Sequence, residues 1–401
     1  MWPLLLHCSR GADTPCSKKG VPVTYELPTS GQRIRFQRPD LPSLNEVAPH
    51  WEAARSAHWY SNGGPVLAAF SSAIERYLGS DLHAVPVNNA TSGLMVALRA
   101  LCGTGRGATV LMPSYTFAAT ATAAVWAGFT PAFVDVSEDH WHADPAMLQE
   151  AVERETPAAL LLCSTYGVAP PRATVRSWSA IAEHANIPLI VDSAAGFGSR
   201  DECGNRLGGQ ADAEVFSFHA TKPFAIGEGG LVTTRDPDIA VELRRAANFG
   251  FHNDRIVRSG VGMNAKMDDL HAAIGLAVLD RFDEVLKRRQ GYGSRLSDAF
   301  SAAGLSPQPG MSAGAVQFLP LLCKTKEQRS RLLASADRRA IELRTYFSDP
   351  LHSMPAFSRY RKTTPLPVTE SLAARIACLP IYSDMSAGVL GRIEQLSTDI
   401  Q

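Results

Sequence analysis

A few residues in this sequence have the types and neighbours that covalent and acid–base chemistry requires. Asp192 ends the apolar run Leu189-Ile190-Val191 and is followed by the small residues Ser193, Ala194, Ala195 and Gly196. Lys222 closes the stretch Ser217-Phe218-His219-Ala220-Thr221-Lys222, and Gly227-Glu228-Gly229-Gly230 lies just beyond it. A loop of small residues lets backbone pass close to a flat ligand. Thr91 and Ser92 open a helically periodic segment, where free N–H groups of a first turn plus a hydroxyl can hold an anion. A lysine amine is a weak nucleophile until burial or a neighbouring cation lowers its pKa. A carboxylate against a pyridine nitrogen keeps that nitrogen protonated, so the ring can take up electrons. At contact such an ion pair has about 4 kcal/mol of Coulomb energy at an effective dielectric of 20. Together these parts describe a site for pyridoxal 5'-phosphate, with Lys222 as the Schiff-base amine and Asp192 at the ring nitrogen. Singly, each has an ordinary reading as well: a helix cap or loop acid, a solvated lysine, a Thr or Ser N-cap.

The elements that must position these residues are legible as alternating periods. Helical spacing marks 90–101, 118–126, 145–153 and 175–185, and short apolar runs mark strands at 110–112, 132–136, 159–163 and 189–191. Continuous apolar strands belong to a sheet covered on both faces, and alternation with helices means a mainly parallel α/β sheet. The carboxyl ends of such strands form the ligand crevice, which is where Asp192 falls. Strands at 215–219 and 231–234 are separated by too little chain for a crossover helix, so a tight antiparallel return is expected. One long helix is expected over 267–289. The reading is a loose extension at 1–30, a large cofactor-binding domain at 31–285, and a smaller C-terminal α+β domain at 286–401.

Bulk properties narrow the partners. The 401 residues are 45% hydrophobic and carry 39 basic and 39 acidic side chains, so no net field attracts a polyanion and nucleic acid is a poor partner. Cysteines at 8, 16, 102, 163, 203, 323 and 378 are odd in number and form no CxxC pair, which reads as free thiols in a reducing compartment. No run approaches the ~20 apolar residues of a membrane helix, and the apolar start is too short for a signal peptide. A cytoplasmic protein is expected. His140-Trp141-His142, in a polar stretch between elements, reads as a pair with no metal role. Gly227-Glu228-Gly229-Gly230 lacks the context of a dinucleotide fingerprint. Lys287-Arg288-Arg289 reads as a solvated helix end, and His219 divides between a ligand contact and a structural role.

Ordered motifs run from about residue 33 almost to the C-terminus. They are Ser61-Asn62-Gly63-Gly64-Pro65, Asn89-Ala90-Thr91-Ser92-Gly93, Pro113-Ser114-Tyr115-Thr116-Phe117, Val191-Asp192-Ser193-Ala194, Ser217 to Lys222, Asn248-Phe249-Gly250, Asn264-Ala265-Lys266-Met267 and Cys378-Leu379-Pro380-Ile381-Tyr382. In these the chain resembles the DegT/DnrJ/StrS family of sugar aminotransferases. The resemblance implies the aspartate-aminotransferase-like fold type I, with Lys222 as Schiff-base lysine and proton shuttle and Asp192 at the pyridine nitrogen. It further implies Phe117 stacked on the cofactor, Thr91, Ser92 and Ser217 on its phosphate, and Asn264 reaching the phosphate of a neighbouring subunit in a shared-site homodimer. Without the family, Phe117 reads as core and Asn264 as a turn residue. The sequence departs from the pattern at Ala195, where Gln or His is usual, and at Ala265 and Lys266, where an aromatic and an arginine are usual. Lys222 argues against the dehydratase branch, which carries His there. The stretch 217–222 and Asn89-Ala90-Thr91 resemble members acting at a 4-keto position, so a nucleotide-linked 4-keto-6-deoxyhexose with glutamate as donor is expected. A different ketone such as a keto-inositol, and a non-catalytic regulatory binding protein, are the competing readings.

Overall fold

In the computed structural model, which describes residues 33–79, 81–258 and 260–400, the short apolar runs are strands. The extension expected at 1–30 lies outside the described residues. In chain order the strands are β1 His83–Val87, β2 Thr109–Pro113, β3 Thr130–Val134, β4 Ala159–Cys163, β5 Leu189–Asp192, β6 Ala213–Ser217 and β7 Gly230–Thr234. They continue with β8 Ser306–Pro307, β9 Phe318–Leu322, β10 Arg361–Lys362 and β11 Ile376–Pro380. The helices are α1 Leu44–Ala57, α2 Pro65–Leu78, α3 Ala90–Cys102, α4 Ala118–Trp126, α5 Pro145–Glu155, α6 Arg172–Ala185 and α7 Pro237–Ala246. Then follow α8 Asp269–Leu279, α9 Phe282–Ala302, α10 Lys326–Arg338, α11 Pro367–Arg375 and α12 Ala387–Thr398. β3 and β6 begin slightly earlier than the apolar runs suggest. Among the described residues no helix is long and apolar enough to cross a membrane.

The main sheet has eight strands in the order β1-β7-β6-β5-β4-β2-β3-β10. From β6 to β10 neighbours are parallel, while β7 runs antiparallel to both β6 and β1. Every residue of β4, β5 and β6 is buried, as a sheet sandwiched between helices requires. Val110, Met112, Val215 and Val232 pack against Leu94, Ala97 and Leu98 of α3 on one face. Leu111, Leu160, Leu162 and Val191 meet Trp178 of α6 on the other. Each such side chain contributes about 1.5–3 kcal/mol by leaving water. A second sheet, β11-β9-β8, packs Leu319, Leu321 and Leu379 against Leu296 and Phe300 of α9 and Ile393 and Leu396 of α12. The chain after α9 also serves the main sheet, because β10 pairs with β3.

The helix expected over 267–289 is broken. α8 ends at Leu279, and Arg281 takes non-helical torsions before α9 starts at Phe282 and runs on to Ala302. At the break Arg281 Nη1 reaches Asp40 Oδ1 at 3.2 Å. The apolar period carries across the joint because Ala277, Val278, Phe282 and Val285 all face one core, which is why it reads as continuous. Arg289 is also corrected. It is buried mid-helix rather than solvated, and its guanidinium donates to the carbonyls of Val316 (3.0 Å), Gln317 (2.9 Å) and Ile381 (2.8 Å) and to Ser383 Oγ (3.1 Å). A planar fork of five donors can be held by neutral oxygens, here three carbonyls and one hydroxyl, without a carboxylate.

Two helix starts, those of α2 and α11, are held by acids distant in sequence. Gly64 caps α2 with no side chain of its own, and Asp269 Oδ1 accepts from Val66 N–H (3.0 Å) and Leu67 N–H (3.1 Å). A Cβ on Gly64 would sit 2.4 Å from that oxygen, so the glycine of Ser61-Asn62-Gly63-Gly64-Pro65 is needed for room. Asp135 does the same for α11, accepting from Val368 N–H (3.0 Å) and Thr369 N–H (2.8 Å). Gly64→Ala is expected to cost about 1–3 kcal/mol by overpacking and Asp269→Ala about 1–2 kcal/mol by loss of the cap. The double variant should lose less than the sum, since both disturb one contact. Denaturation midpoints of the three variants check this; strict additivity would show that the contact is not shared.

Candidate active site

The site is built from the antiparallel return between β6 and β7. Phe218 N–H donates to Gly229 O (2.9 Å), Ala220 N–H to Gly227 O (2.8 Å) and Ile226 N–H to Phe218 O (2.9 Å), which closes residues 218–229 into a tight lobe. Gly227 turns at φ +93°, a region glycine enters freely. Phe218 and Phe224 bracket Lys222 in sequence and bury their rings together, 4.6 Å between centroids, so the lysine rides on an anchored loop. Gly230 lacks the Cβ that would lie 2.7 Å from the Ala90 nitrogen. That close approach sets the lobe against the first turn of α3, and Ser217, paired with Gly230 in the sheet, lines the same cavity as Thr91.

Lys222 and Asp192 line the same cavity, of about 660 Å³. The lysine keeps some surface on the cavity, yet its amine sits deep. Burial lowers its pKa to about 8, against the opposing pull of Asp192 and Cys163. Burial likewise raises the carboxyl of Asp192, which the Thr120 hydroxyl (2.7 Å), the Ala194 N–H (3.1 Å) and the Lys222 charge oppose. Cys163 stands opposite Asp192 in the β4–β5 register, and burial holds it as the neutral thiol. The Lys222 amine donates to Gln317 Oε1 (3.1 Å), and Gln317 Nε2 donates to Thr221 O (3.2 Å), which fixes the amide's orientation.

Thr91, Phe117 and Ser217 also line the cavity, and Phe117 is 58% exposed there. Ser92 does not; it is buried in the first turn of α3, where its N–H donates to Asn89 Oδ1 (2.8 Å). Asn264 lies outside, exposed, with its Oδ1 accepting from Lys266 Nζ (2.6 Å). His219 lines the cavity mouth, bonded through Nδ1 to Thr221 Oγ1 (2.8 Å) and near Glu228 (3.6 Å). Ala195 lines the cavity and brings no polar group to it.

Some residues of the site, lining the cavity or bonded to its Asp192, escaped the sequence reading. Thr120 lies one turn after Thr116 on α4 and bonds to it (3.1 Å), so the spacing was a usable signal. Gln317 is the one polar side chain at the mouth of the apolar run 315–322, and this too was readable. The aromatic wall of Tyr166, Phe318, Tyr346 and Phe347 comes from three separate segments, with Tyr166 and Phe347 stacked at 5.1 Å, and no local pattern announces it.

The chemistry of this donor set fits pyridoxal phosphate: a desolvated amine, a buried acid facing it, and hydroxyls at a helix start. Residues 45–395 match the DegT/DnrJ/EryC1/StrS aminotransferase family. Protein Rv3402c of Mycobacterium tuberculosis is 35% identical over 90% of this chain and 88% of its own length. The dTDP-4-amino-4,6-dideoxy-D-glucose transaminase of Shigella dysenteriae is 28% identical over 92% of this chain and 99% of its own. The solved structure of DesI in the presence of its TDP-sugar product superposes with a TM-score of 0.81 at 30% identity, covering 91% of this chain and 92% of that one. Lysine, acid and fold thus agree with these likenesses: the chain belongs to the DegT/DnrJ/EryC1/StrS aminotransferase family and is a pyridoxal-phosphate-dependent enzyme.

Proposed function

We propose that this enzyme transfers an amino group from an amino acid, glutamate, to the ketone of a nucleotide-linked 4-keto-6-deoxyhexose in the cytoplasm. The observation that carries the reading is the buried Lys222 amine, its pKa lowered to about 8, sharing one cavity with the buried Asp192. The cofactor supplies an aldehyde that takes up nitrogen and a ring that accepts electrons. Asp192, held by Thr120 and the Ala194 N–H, keeps a proton on the ring nitrogen. Once free, Lys222 Nζ takes a proton from the substrate carbon and returns it, with Gln317 Oε1 steadying the amine between strokes. Thr91 and Ser217 on the cavity wall would hold the phosphate, with Ser92 buried behind Thr91 in the first turn of α3, and Phe117 would flank the ring. The aromatic wall offers apolar faces to the methyl and C–H side of a deoxysugar.

Sugar choice rests on the stretch 217–222 and on the likeness to the dTDP-4-amino-4,6-dideoxy-D-glucose transaminase of Shigella dysenteriae, and the nucleotide link also on the likeness to DesI, solved in the presence of its TDP-sugar product. Phe249, Phe251, Ile256, Val257 and Val261 are exposed apolar side chains on the segment leading to Asn264. A patch of that kind marks an interaction surface. It supports a homodimer in which Asn264 of the partner subunit completes each site.

Purified holoenzyme should show a visible absorption band, and borohydride should fix the label on Lys222. Lys222→Ala should lose both the label and, by a factor of about 10³ or more, transamination; a Lys222→Ala protein that transaminates normally would defeat the assignment. Below about 8 the amine is protonated and unreactive, and above it free. The rate at which apoenzyme captures the cofactor should therefore climb about tenfold per pH unit up to that value and then level; a flat profile would contradict a buried, depressed amine. With glutamate as donor, a nucleotide-linked 4-keto-6-deoxyhexose should be aminated at least about tenfold faster than its 3-keto isomer or a keto-inositol. Preference for either competitor would overturn the substrate reading.

A further inference from the structure

A buried hydrogen-bond chain connects the interior of the main sheet to the wall of the cofactor cavity. Glu214 on β6 is fully buried, in a strand whose other residues are apolar or end at Ser217. Its Oε2 accepts from Gly208 N–H (2.8 Å) and Gln210 N–H (3.3 Å). Its Oε1 lies 2.5 Å from Ser193 Oγ, and Ser193 Oγ lies 2.9 Å from Ser164 Oγ. Ser193 and Ser164 are buried, and Ser164 lines the cavity with Asp192, whose carbonyl takes the Ser164 N–H (3.0 Å).

Each hydroxyl has one proton to give, so the direction of one bond dictates the next. With Glu214 ionised, Ser193 donates to Oε1, Ser164 donates to Ser193, and Ser164 turns lone pairs toward the cavity. With a proton on Oε1, Glu214 donates to Ser193, Ser193 donates to Ser164, and Ser164 turns its proton toward the cavity. The backbone donors keep Oε2 an acceptor in both states, so Oε1 is where the proton goes. The shifts on this acid come from burial and from neutral hydrogen-bond donors, and burial raises it to about 7. The ionisable groups on the elements packed around it are engaged elsewhere. Asp192 bonds Thr120, Asp212 accepts from Leu189 N–H (2.8 Å), and Glu75 accepts from Ala84 N–H (3.0 Å). Arg206 pairs with Asp283 (3.2 Å) and Arg235 with Asp81. Across the β6–β7 register Glu214 meets Thr233.

We infer that Glu214 is a positioning residue which, through Ser193, sets whether Ser164 donates to or accepts from the molecule in the cofactor cavity. The inference rests on that cavity being the cofactor site. It makes the hydrogen-bonding character of one cavity wall follow a carboxyl that touches neither cofactor nor substrate.

Glu214→Gln tests it. The two backbone donors require the amide oxygen, so the amide Nε2 faces Ser193 and Ser164 is locked as a donor. The visible band of holoenzyme is titrated through neutrality in wild type, Glu214→Gln, Ser193→Ala and Ser164→Ala, with circular dichroism to confirm folding. Wild type should show a transition with a midpoint near 7 that is absent from all three variants. Should Glu214→Gln fail to fold, Ser193→Ala cuts the same chain in its middle and decides alone. Retention of the transition in folded Ser193→Ala or Ser164→Ala overturns the inference while leaving the cofactor site intact. A wild-type protein with no band, and no borohydride label on Lys222, overturns the site reading and this inference with it.

Discussion

Burying an amine and a carboxylate around one cavity is the constraint on which the rest of this structure depends. Two forces act on the pair. Loss of water favours the neutral form of each, while mutual attraction favours the charged form. At Lys222 and Asp192 the first outweighs the second: the amine falls to about 8 and the acid rises, despite two hydrogen bonds to the carboxylate. At its aqueous value only about three amines in ten thousand would be free near pH 7, whereas at about 8 roughly a tenth are. Removing water is therefore what turns a loop lysine into a nucleophile, and the anchoring of 218–229 by Phe218 and Phe224 keeps it removed.

Because no single segment can enclose such a pair, its parts come from separate elements that the parallel sheet gathers. Asp192 arrives at the carboxyl end of β5, Lys222 after β6, Thr120 from α4 and Gln317 just before β9. The last of these ties the second sheet to the first. Arg289 grips the carbonyls of Val316 and Gln317 from α9, so Gln317 is presented to Lys222 by a buried guanidinium. A structural charge in one layer thus positions a neutral acceptor in the other.

Sequence periodicity revealed the parts of this arrangement that are local. Each strand from β2 to β5 is a short apolar run, and α4 is bounded by Phe117 and Ala127 where its spacing stops. Asp192 and Lys222 were legible because a charged residue closing an apolar strand, or followed by glycines, breaks a local expectation. What was not legible is what depends on distance along the chain. The caps of α2 and α11 are Asp269 and Asp135, which no local capping pattern contains. The joint at Arg281 hides because buried positions on either side keep helical phase. Arg289 looks like the end of a basic run until one sees the carbonyls facing it. Glu214 was the missed signal: an acid inside Ala213-Glu214-Val215-Phe216, in a strand covered on both faces, cannot be solvated and must have partners.

Those partners bear on the departure at Ala195. The family resemblance leads one to look for a glutamine or histidine there, a side chain able to bond beside the cofactor ring. Ala195 supplies no such group, and Gly167 stands so close that its Cβ would meet the Ala195 carbonyl oxygen at 2.2 Å. The floor of the cavity here is backbone, closely packed. Ser164 is the polar side chain that follows β4 on the same wall, its N–H bonded to the Asp192 carbonyl (3.0 Å). A hydroxyl differs from an amide in having a reversible sense, since it can give or take a hydrogen bond at one position. Where an amide's orientation is set by shape, a serine's is set by whatever lies behind it. Behind Ser164 lie Ser193 and a carboxyl poised near neutrality, so loss of a polar side chain at 195 passes control of this wall to the interior of the sheet.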